Sequence, residues 1–228
     1  MGTLDNNRHT GIGMTSDRTR TRMIERLRAD GIRDEVVLAA MNAVPRHIFV
    51  DEALAIRAYE NSPLPIGHGQ TISQPWVVAR MSELARNGRT LGDVLEIGTG
   101  CGYQTAVLAH FAQKVYSVER IAALVAKARR NLTSLKVRNI ALMHGDGTAS
   151  LGEELCVDAI VITAGATHVP TALLRYLAPG ARMVLPLAHA DDGERSTQRL
   201  TVIEAGAQGY REETLDAVRF VPLLPGTA

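Results

Sequence analysis

A doubly wound, Rossmann-like α/β sheet is the fold that this 228-residue sequence predicts, and three observations carry the prediction. Short β-rich runs alternate with helical stretches after Gly88, the runs are apolar on both faces, and three alternate glycines follow the first of them. Crossovers of this length join parallel strands, and strands covered by helices on both sides read as continuous apolar runs.

Residues 1–16 are polar with no apolar period, which predicts a flexible N-terminal extension. Residues 17–228 are expected to form a single domain, with helices and a Pro/Gly-rich loop in 17–87 and the Rossmann-like core in 88–228. Between Asp17 and Ala43, residues Met23, Ile24, Leu27, Val36, Val37, Leu38 and Met41 recur at helical spacing, interrupted by Asp30-Gly31 and stopped before Pro45. This predicts a pair of amphipathic helices. A further short helix is expected from Phe49 to Tyr59. Pro63, Pro65, Gly67 and Gly69 then predict a loop without regular structure up to Trp76, and helix resumes over Val77 to Arg86. The core strands are expected at Val94–Gly98, Val115–Glu119, Ile140–His144, Ala159–Thr163 and Met183–Leu187, with helices near 103–111, 121–134 and 169–177. Leu200–Glu204 and Ala217–Leu224 read as strands joined through Gly206 and Gly209, an antiparallel hairpin at the sheet edge.

Composition narrows the function. Hydrophobic residues make up 46% and charged residues 21%, the balance of a soluble globular protein. No apolar run approaches the ~20 residues needed to span a bilayer, and the N-terminus lacks the apolar centre of a signal peptide, so a cytoplasmic location without membrane attachment is expected. Lys+Arg 25 against Asp+Glu 24 is far from the basic excess of a nucleic-acid binder. Cys101 and Cys156 have neither CxxC spacing nor a nearby His, which points to reduced thiols and no metal site.

The segment Val94-Leu-Glu-Ile-Gly-Thr-Gly-Cys-Gly-Tyr103 places Gly98, Gly100 and Gly102 at a strand-to-helix turn, where a ligand can lie against backbone and helix N–H groups. A dinucleotide fingerprint reads GxGxxG, but here Tyr103 stands where that motif has its third Gly. Glu96 adds a carboxylate that would repel a pyrophosphate and attract the methionine ammonium of S-adenosyl-L-methionine. About 20 residues further on, Glu119 ends the second strand, where an acid can accept both ribose hydroxyls. Asp146 in His144-Gly-Asp-Gly147 is placed to meet the adenine amine, with Gly147 keeping the base face clear. Each feature alone could be an ordinary strand-end turn. Their ordered spacing points to a class I S-adenosylmethionine-dependent methyltransferase.

Two further stretches fall outside that general pattern: Leu64-Pro-Ile-Gly-His-Gly-Gln-Thr-Ile-Ser-Gln-Pro-Trp76 and Val218-Arg-Phe-Val-Pro-Leu223. With Val44-Pro-Arg-His-Ile-Phe-Val50, Glu96–Tyr103 and His144–Gly147, they resemble the protein-L-isoaspartate O-methyltransferase family from about Asp17 to the end of the chain. The resemblance implies methyl transfer from S-adenosyl-L-methionine, leaving S-adenosyl-L-homocysteine, to the α-carboxylate of L-isoaspartyl residues in damaged proteins and peptides. A monomeric repair enzyme is expected. Ser73 matches the active-site serine of the family, with Thr71, Ile72 and Gln74 framing it in the active-site loop. Cofactor contacts carry over to Thr71, Ile72, Glu96, Gly98, Gly100, Gly102, Glu119, Arg120, Asp146 and Gly147. Gln74, Thr163, Ala164, Arg219 and Phe220 are the candidates for substrate contact.

A carboxylate with a pKa near ~4 is already ionised at pH 7 and needs no general base to attack a sulfonium methyl group. Ser73 is therefore expected to orient the acceptor and not to act as a covalent nucleophile, since no G-x-S-x-G elbow surrounds it. The alternative for Ser73 is a helix N-cap before Pro75. His68, between two glycines, reads as a loop-ordering residue. Thr163-Ala-Gly-Ala-Thr-His-Val-Pro170, Thr148 and Cys101 depart from the family pattern and bear on peptide preference. An amide or nucleobase methyltransferase would carry an Asn/Asp-Pro-Pro-Tyr/Phe motif after the fourth strand, which is not there. Another carboxylate or small-molecule acceptor, or a noncatalytic cofactor-binding module, are the remaining alternatives.

Overall fold

The computed structural model of the chain describes residues 11, 13–149, 151, 155–189 and 197–228. Most of the expected N-terminal extension lies outside these residues; Gly13–Thr15 form a 3-10 turn. Helices α1 (Asp17–Ala29) and α2 (Glu35–Ala43) are the predicted pair. Asp34 starts α2 as N-cap, its carboxylate accepting from the Val36 and Val37 amides, and it also pairs with Arg86 at 2.5 Å. One turn of helix α3 (Pro75–Arg86) away, Glu83 Oε1 accepts from the Arg33 and Asp34 amides at 2.6 and 2.9 Å. Amides at the α2 entrance thus find carboxylates, and α2 is fixed to α3.

The Phe49–Tyr59 helix is replaced by two 3-10 segments, Arg46–Phe49 and Glu52–Arg57. The expected irregular loop also needs correcting: it contains the antiparallel hairpin β1 (Leu64–Gly67) and β2 (Gln70–Ile72). Gly67, His68 and Gly69 all take positive φ, at 94°, 54° and 68°. Residues that read as strand breakers therefore form the hairpin turn.

The remaining strands make one sheet: β3 (Leu91–Ile97), β4 (Ala112–Glu119), β5 (Ile140–His144), β6 (Val157–Ile162), β7 (Leu177–His189), β8 (Thr197–Gly206) and β9 (Gly209–Val218). Their order is β5-β4-β3-β6-β7-β8-β9; the first five are parallel, and β8 and β9 add antiparallel. Helices α4 (Tyr103–Ala109), α5 (Ala122–Ser134) and α6 (Thr171–Leu174) lie in the crossovers. The predicted 169–177 helix shrinks to one turn, because Pro179-Gly180 interrupt the pattern and the chain enters β7 at Leu177. The last strand ends at Val218 and not at Leu224. Its polar run Tyr210-Arg-Glu-Glu is an exposed edge strand with no apolar face to read.

Apolar burial covers both faces of the sheet. One cluster joins Leu27, Leu38 and Met41 to Tyr103, Ala106 and Leu132, so the N-terminal helices share a core with α4 and α5. A second packs α3 against β3, β6 and β7, and a third fills the face toward α6. Among the described residues no helix is long and apolar enough to cross a membrane.

Candidate active site

At the switch point between β3 and β6, the carboxyl ends of β3, β4, β5 and β6 open into a crevice. Gly98, Gly100, Glu119, Arg120 and Gly147 form its floor, with Thr163 and Ala164 on one side. Open α/β sheets bind ligands at this point of the topology. Beside it lies a smaller cleft, lined by Ile72, Ser73, Cys101, Tyr103 and Gln104. Thr71, Gly98, Gly100 and Thr163 line both. Thr71 of the β1–β2 hairpin thus stands between the two cavities, with Glu119 and Gly147 in the crevice and Ser73 in the cleft.

The Gly-rich turn is held from below. Gly98 (φ 97°) donates to the Val118 carbonyl, and Thr163 Oγ1 donates to the Gly98 carbonyl at 2.6 Å. A Cβ on Gly98 would stand 2.3 Å from Thr163 Oγ1, and one on Gly147 would stand 2.4 Å from Ile97 Cγ2. Both positions therefore exclude side chains, and both face the crevice. Glu119 Oε2 accepts from the Gly100 amide and Oε1 from the Ile121 amide, each at 2.9 Å, which aims the carboxylate at the crevice. These features fit S-adenosyl-L-methionine: a backbone cradle without Cβ atoms, and an acid at the ribose position.

Several expected residues play other parts. Glu96 does not reach the crevice surface. It is fully buried, its Oε2 accepting from Thr105 Oγ1 at 2.5 Å and Ser117 Oγ at 2.6 Å, while Oε1 has no hydrogen-bond partner. Burial pushes its pKa up to about 8, against the two hydroxyl donors, which lower it. Ser117 Oγ in turn meets Thr99 Oγ1 at 2.5 Å, so Glu96 braces the turn through a hydroxyl chain. Gly102 caps α4 at φ 91°, where a Cβ would stand 3.1 Å from Leu132 Cδ1; its role is close packing against α5. Gln74 is the N-cap position of α3, without a side-chain cap bond, and lines neither cavity; Ser73 lies one residue outside the cap.

Asp146 immediately precedes the crevice-lining Gly147, and its carboxylate is already engaged. Oδ1 accepts from the Thr148 amide and hydroxyl at 2.8 and 2.6 Å, and Oδ2 from the Gly226 amide at 2.6 Å. Burial raises its pKa, but these donors and the Arg120 charge together hold it below the ordinary value. Arg219 is exposed and Phe220 packs on the β7–β8 side of the core; neither lines a cavity. Their neighbours Val221, Pro222, Leu223 and Leu224 do, along the crevice. The apolar Val-Pro-Leu-Leu run beyond the sheet was the sequence signal for this stretch. Arg46 supports the site from within the core. It is fully buried behind the cleft, with its guanidinium 4.8 Å from the Tyr103 ring centre and its Nε donating to the Ala58 carbonyl at 2.8 Å. Both cysteines are free, and burial raises the Cys101 thiol to about 11. Among the described residues no cluster of His, Cys, Asp and Glu could hold a metal ion.

Residues 18–228 match the family described as protein-L-isoaspartate(D-aspartate) O-methyltransferase. A protein-L-isoaspartate O-methyltransferase of Methylobacillus flagellatus is 57% identical over 218 residues, covering 96% of this chain and 97% of that protein. One from Dechloromonas aromatica is 58% identical over 218 residues, with 95% and 98% covered. Among solved structures, a Plasmodium falciparum chain described as a protein-L-isoaspartate O-methyltransferase, in complex with S-adenosyl-L-homocysteine, superposes with a TM-score of 0.73. It shares 27% identity and covers 90% of this chain and 98% of its own. With this sheet order, the glycine cradle and matches over nearly all of its length, the chain belongs to the protein-L-isoaspartate O-methyltransferase family.

Proposed function

We propose that this protein is a repair enzyme that transfers a methyl group from S-adenosyl-L-methionine to the α-carboxylate of L-isoaspartyl residues in damaged proteins and peptides. The observation that carries this reading is the shared wall: Thr71, Gly98, Gly100 and Thr163 belong to both the cofactor-type crevice and the Ser73 cleft. A methyl group can cross between the two without entering solvent.

In this reading Glu119 takes the ribose hydroxyls, Gly98, Gly100 and Gly147 lie against the cofactor, and Asp146 and Arg120 flank the adenine end. Bound there, the cofactor supplies a sulfonium-activated methyl group. The protein's own work is positioning. The acceptor carboxylate is ionised at neutral pH, so no side chain has to remove a proton. Ser73 would donate its hydroxyl to one carboxylate oxygen and leave the other unhindered toward the methyl group that the bound cofactor would supply. The buried Ile72 and Tyr103 help to keep water from the reacting atoms. Residues 17–228 act as one domain, a reading supported by the core that the N-terminal helices share with α4 and α5.

The test is methyl transfer from labelled cofactor to an isoaspartyl peptide beside its aspartyl twin. The expected product is a base-labile ester on the isoaspartyl peptide alone. Equal labelling of both would point to another carboxylate acceptor, and cofactor binding without labelling to a noncatalytic module.

A further inference from the structure

The chain does not stop at the sheet edge. After β9 it turns back and crosses the carboxyl ends of the strands as a strap. Its departure is fixed by Gln198, whose Oε1 accepts from the Phe220 amide at 2.6 Å and whose Nε2 donates to the Phe220 carbonyl at 3.3 Å. One side-chain amide here does the work of a strand partner. Beyond β6, the Gly165 amide donates to the Val221 carbonyl at 2.7 Å and the Leu223 amide donates to the Gly165 carbonyl at 2.8 Å. A Cβ on Gly165 would stand 2.3 Å from Gln198 Nε2, so a side chain there would displace the Gln198 amide from its bonds to Phe220. Val221 to Leu224 then line the crevice.

The far end is clasped on the other side, at β4 and β5. The Gly226 amide donates to Asp146 Oδ2 at 2.6 Å, and Arg120 Nε donates to the Gly226 carbonyl at 3.1 Å. The Ala228 amide donates to the Arg120 carbonyl at 2.7 Å, and the Ala122 amide donates to the Ala228 carbonyl at 2.9 Å. Four hydrogen bonds, two of them charge-assisted, therefore hold residues 226–228 to the residues that flank the crevice. Since β3 and its Gly-rich turn lie between β4 and β6 in the sheet, a strap tied at β6 and at β4–β5 spans the cradle. Asp146 retains one acceptor position on Oδ2, because a carboxylate offers about four and three are taken.

We propose that Gly226 and Ala228 are positioning residues for the cofactor: their clasp orients Asp146 and Arg120 and holds Val221–Leu224 down as the roof of the crevice. The clasp acts on cofactor affinity and not on the acceptor cleft, since none of residues 221–228 lines that cleft. The inference rests on the reading that the crevice takes S-adenosyl-L-methionine.

The test compares the full chain with a variant lacking residues 226–228, by calorimetric titration with S-adenosyl-L-homocysteine and by steady-state kinetics on an isoaspartyl peptide. Loss of hydrogen bonds to a charged group should raise the dissociation constant and the cofactor KM by roughly tenfold. The kcat at saturation and the peptide KM should stay within about twofold. Gly226→Ala should shift affinity in the same direction by less, because Gly226 sits at φ 75° with open space around it and the variant strains the clasp without a clash. It also keeps the test alive if the deletion fails to fold. In an Asp146→Ala background the deletion should add less than it does in the parent, because one of the four clasp hydrogen bonds is already gone. Unchanged or tighter binding by the deletion variant overturns the proposal, as does a full additive loss in the Asp146→Ala background. A full chain that binds no S-adenosyl-L-homocysteine overturns the underlying reading as well, whereas a full chain that binds and methylates beside an indistinguishable deletion overturns the strap alone.

Discussion

Glu96 offers a sharp test of how the Gly-rich turn is supported, through the substitution Glu96→Gln. Its carboxyl is fully buried, and burial holds its pKa near 8 against an ordinary value of 4.5. The unfolded chain releases this proton near 4.5 and the folded protein only near 8, so the folded state holds an extra proton between the two. Stability contributed by the neutral form is therefore full below pH 4.5 and is lost as pH rises through this window. At 1.36 kcal/mol per pH unit of separation, the full loss is roughly 5 kcal/mol. Glutamine stays neutral throughout and its carbonyl oxygen can still accept from Thr105 and Ser117. All other titrating groups cancel when the two proteins are compared at one pH. The stability of Glu96→Gln relative to the parent should rise by roughly 4 kcal/mol between pH 5 and pH 9, most of it before pH 8. The measurement is urea denaturation of both proteins at intervals of one pH unit. For a chain of this size the same difference is about 8–16 °C in Tm. A stability difference that does not vary with pH would refute the reasoning and mean that Glu96 is ionised in the fold.

Ser73→Ala should lower kcat/KM for an isoaspartyl peptide by about tenfold to a hundredfold with S-adenosyl-L-homocysteine affinity unchanged, as read by kinetics and calorimetry. Glu119→Gln should weaken S-adenosyl-L-homocysteine by about tenfold in the same titration, because the charge facing the ribose and the acceptor for the Gly100 amide both weaken. Gly147→Ala forces a methyl group to within 2.4 Å of Ile97 Cγ2 and should cost about 1–3 kcal/mol in thermal or urea unfolding. Asp34→Ala removes the α2 cap and leaves Arg86 unpaired, and should cost about 2–4 kcal/mol in the same assay, with kcat retained.

How far the sequence could be read depended on which interaction decided each element. The parallel strands are buried on both faces, so their apolar runs are self-declaring, and β5 spans the predicted Ile140–His144. Where local chemistry is polar and pairing is long-range, the reading failed. The edge strand β9 is defined by its partner β8, and the β1–β2 hairpin by three positive-φ residues that also serve as breakers. The inward placement of Glu96 was illegible for another reason. A charge just before a Gly-rich turn suggests a ligand, but within a strand covered on both sides alternate residues point into a helix layer. In register, Glu96 stands opposite Ser117 of β4, and Thr105 comes from α4 above. Pairing the two strands by register would have shown a hydroxyl partner waiting inside the core.

The partition between crevice and cleft bears on the residues that depart from the family pattern. The wall is held mainly by backbone. The Thr163 amide donates to the Ile97 carbonyl at 2.9 Å, and its hydroxyl reaches the Gly98 carbonyl, so this residue spans β3 and β6 directly beneath the cradle. The next residues, Ala164 to Ala166, are small, buried and bonded through main-chain groups to Val221, Leu223 and Pro186. Side chains there carry little of the geometry, and an altered stretch can be accommodated if it stays small. Cys101 likewise presents only a buried, protonated thiol to the acceptor cleft. The separation between methyl donor and acceptor is consequently set by the hairpin at Thr71 and by the strand-end glycines. Substitutions at 164–170, which do not line the acceptor cleft, should leave kcat near the parent value, while those at Thr71 and Thr163 should act through kcat, because these two side chains and the glycines touch both cavities.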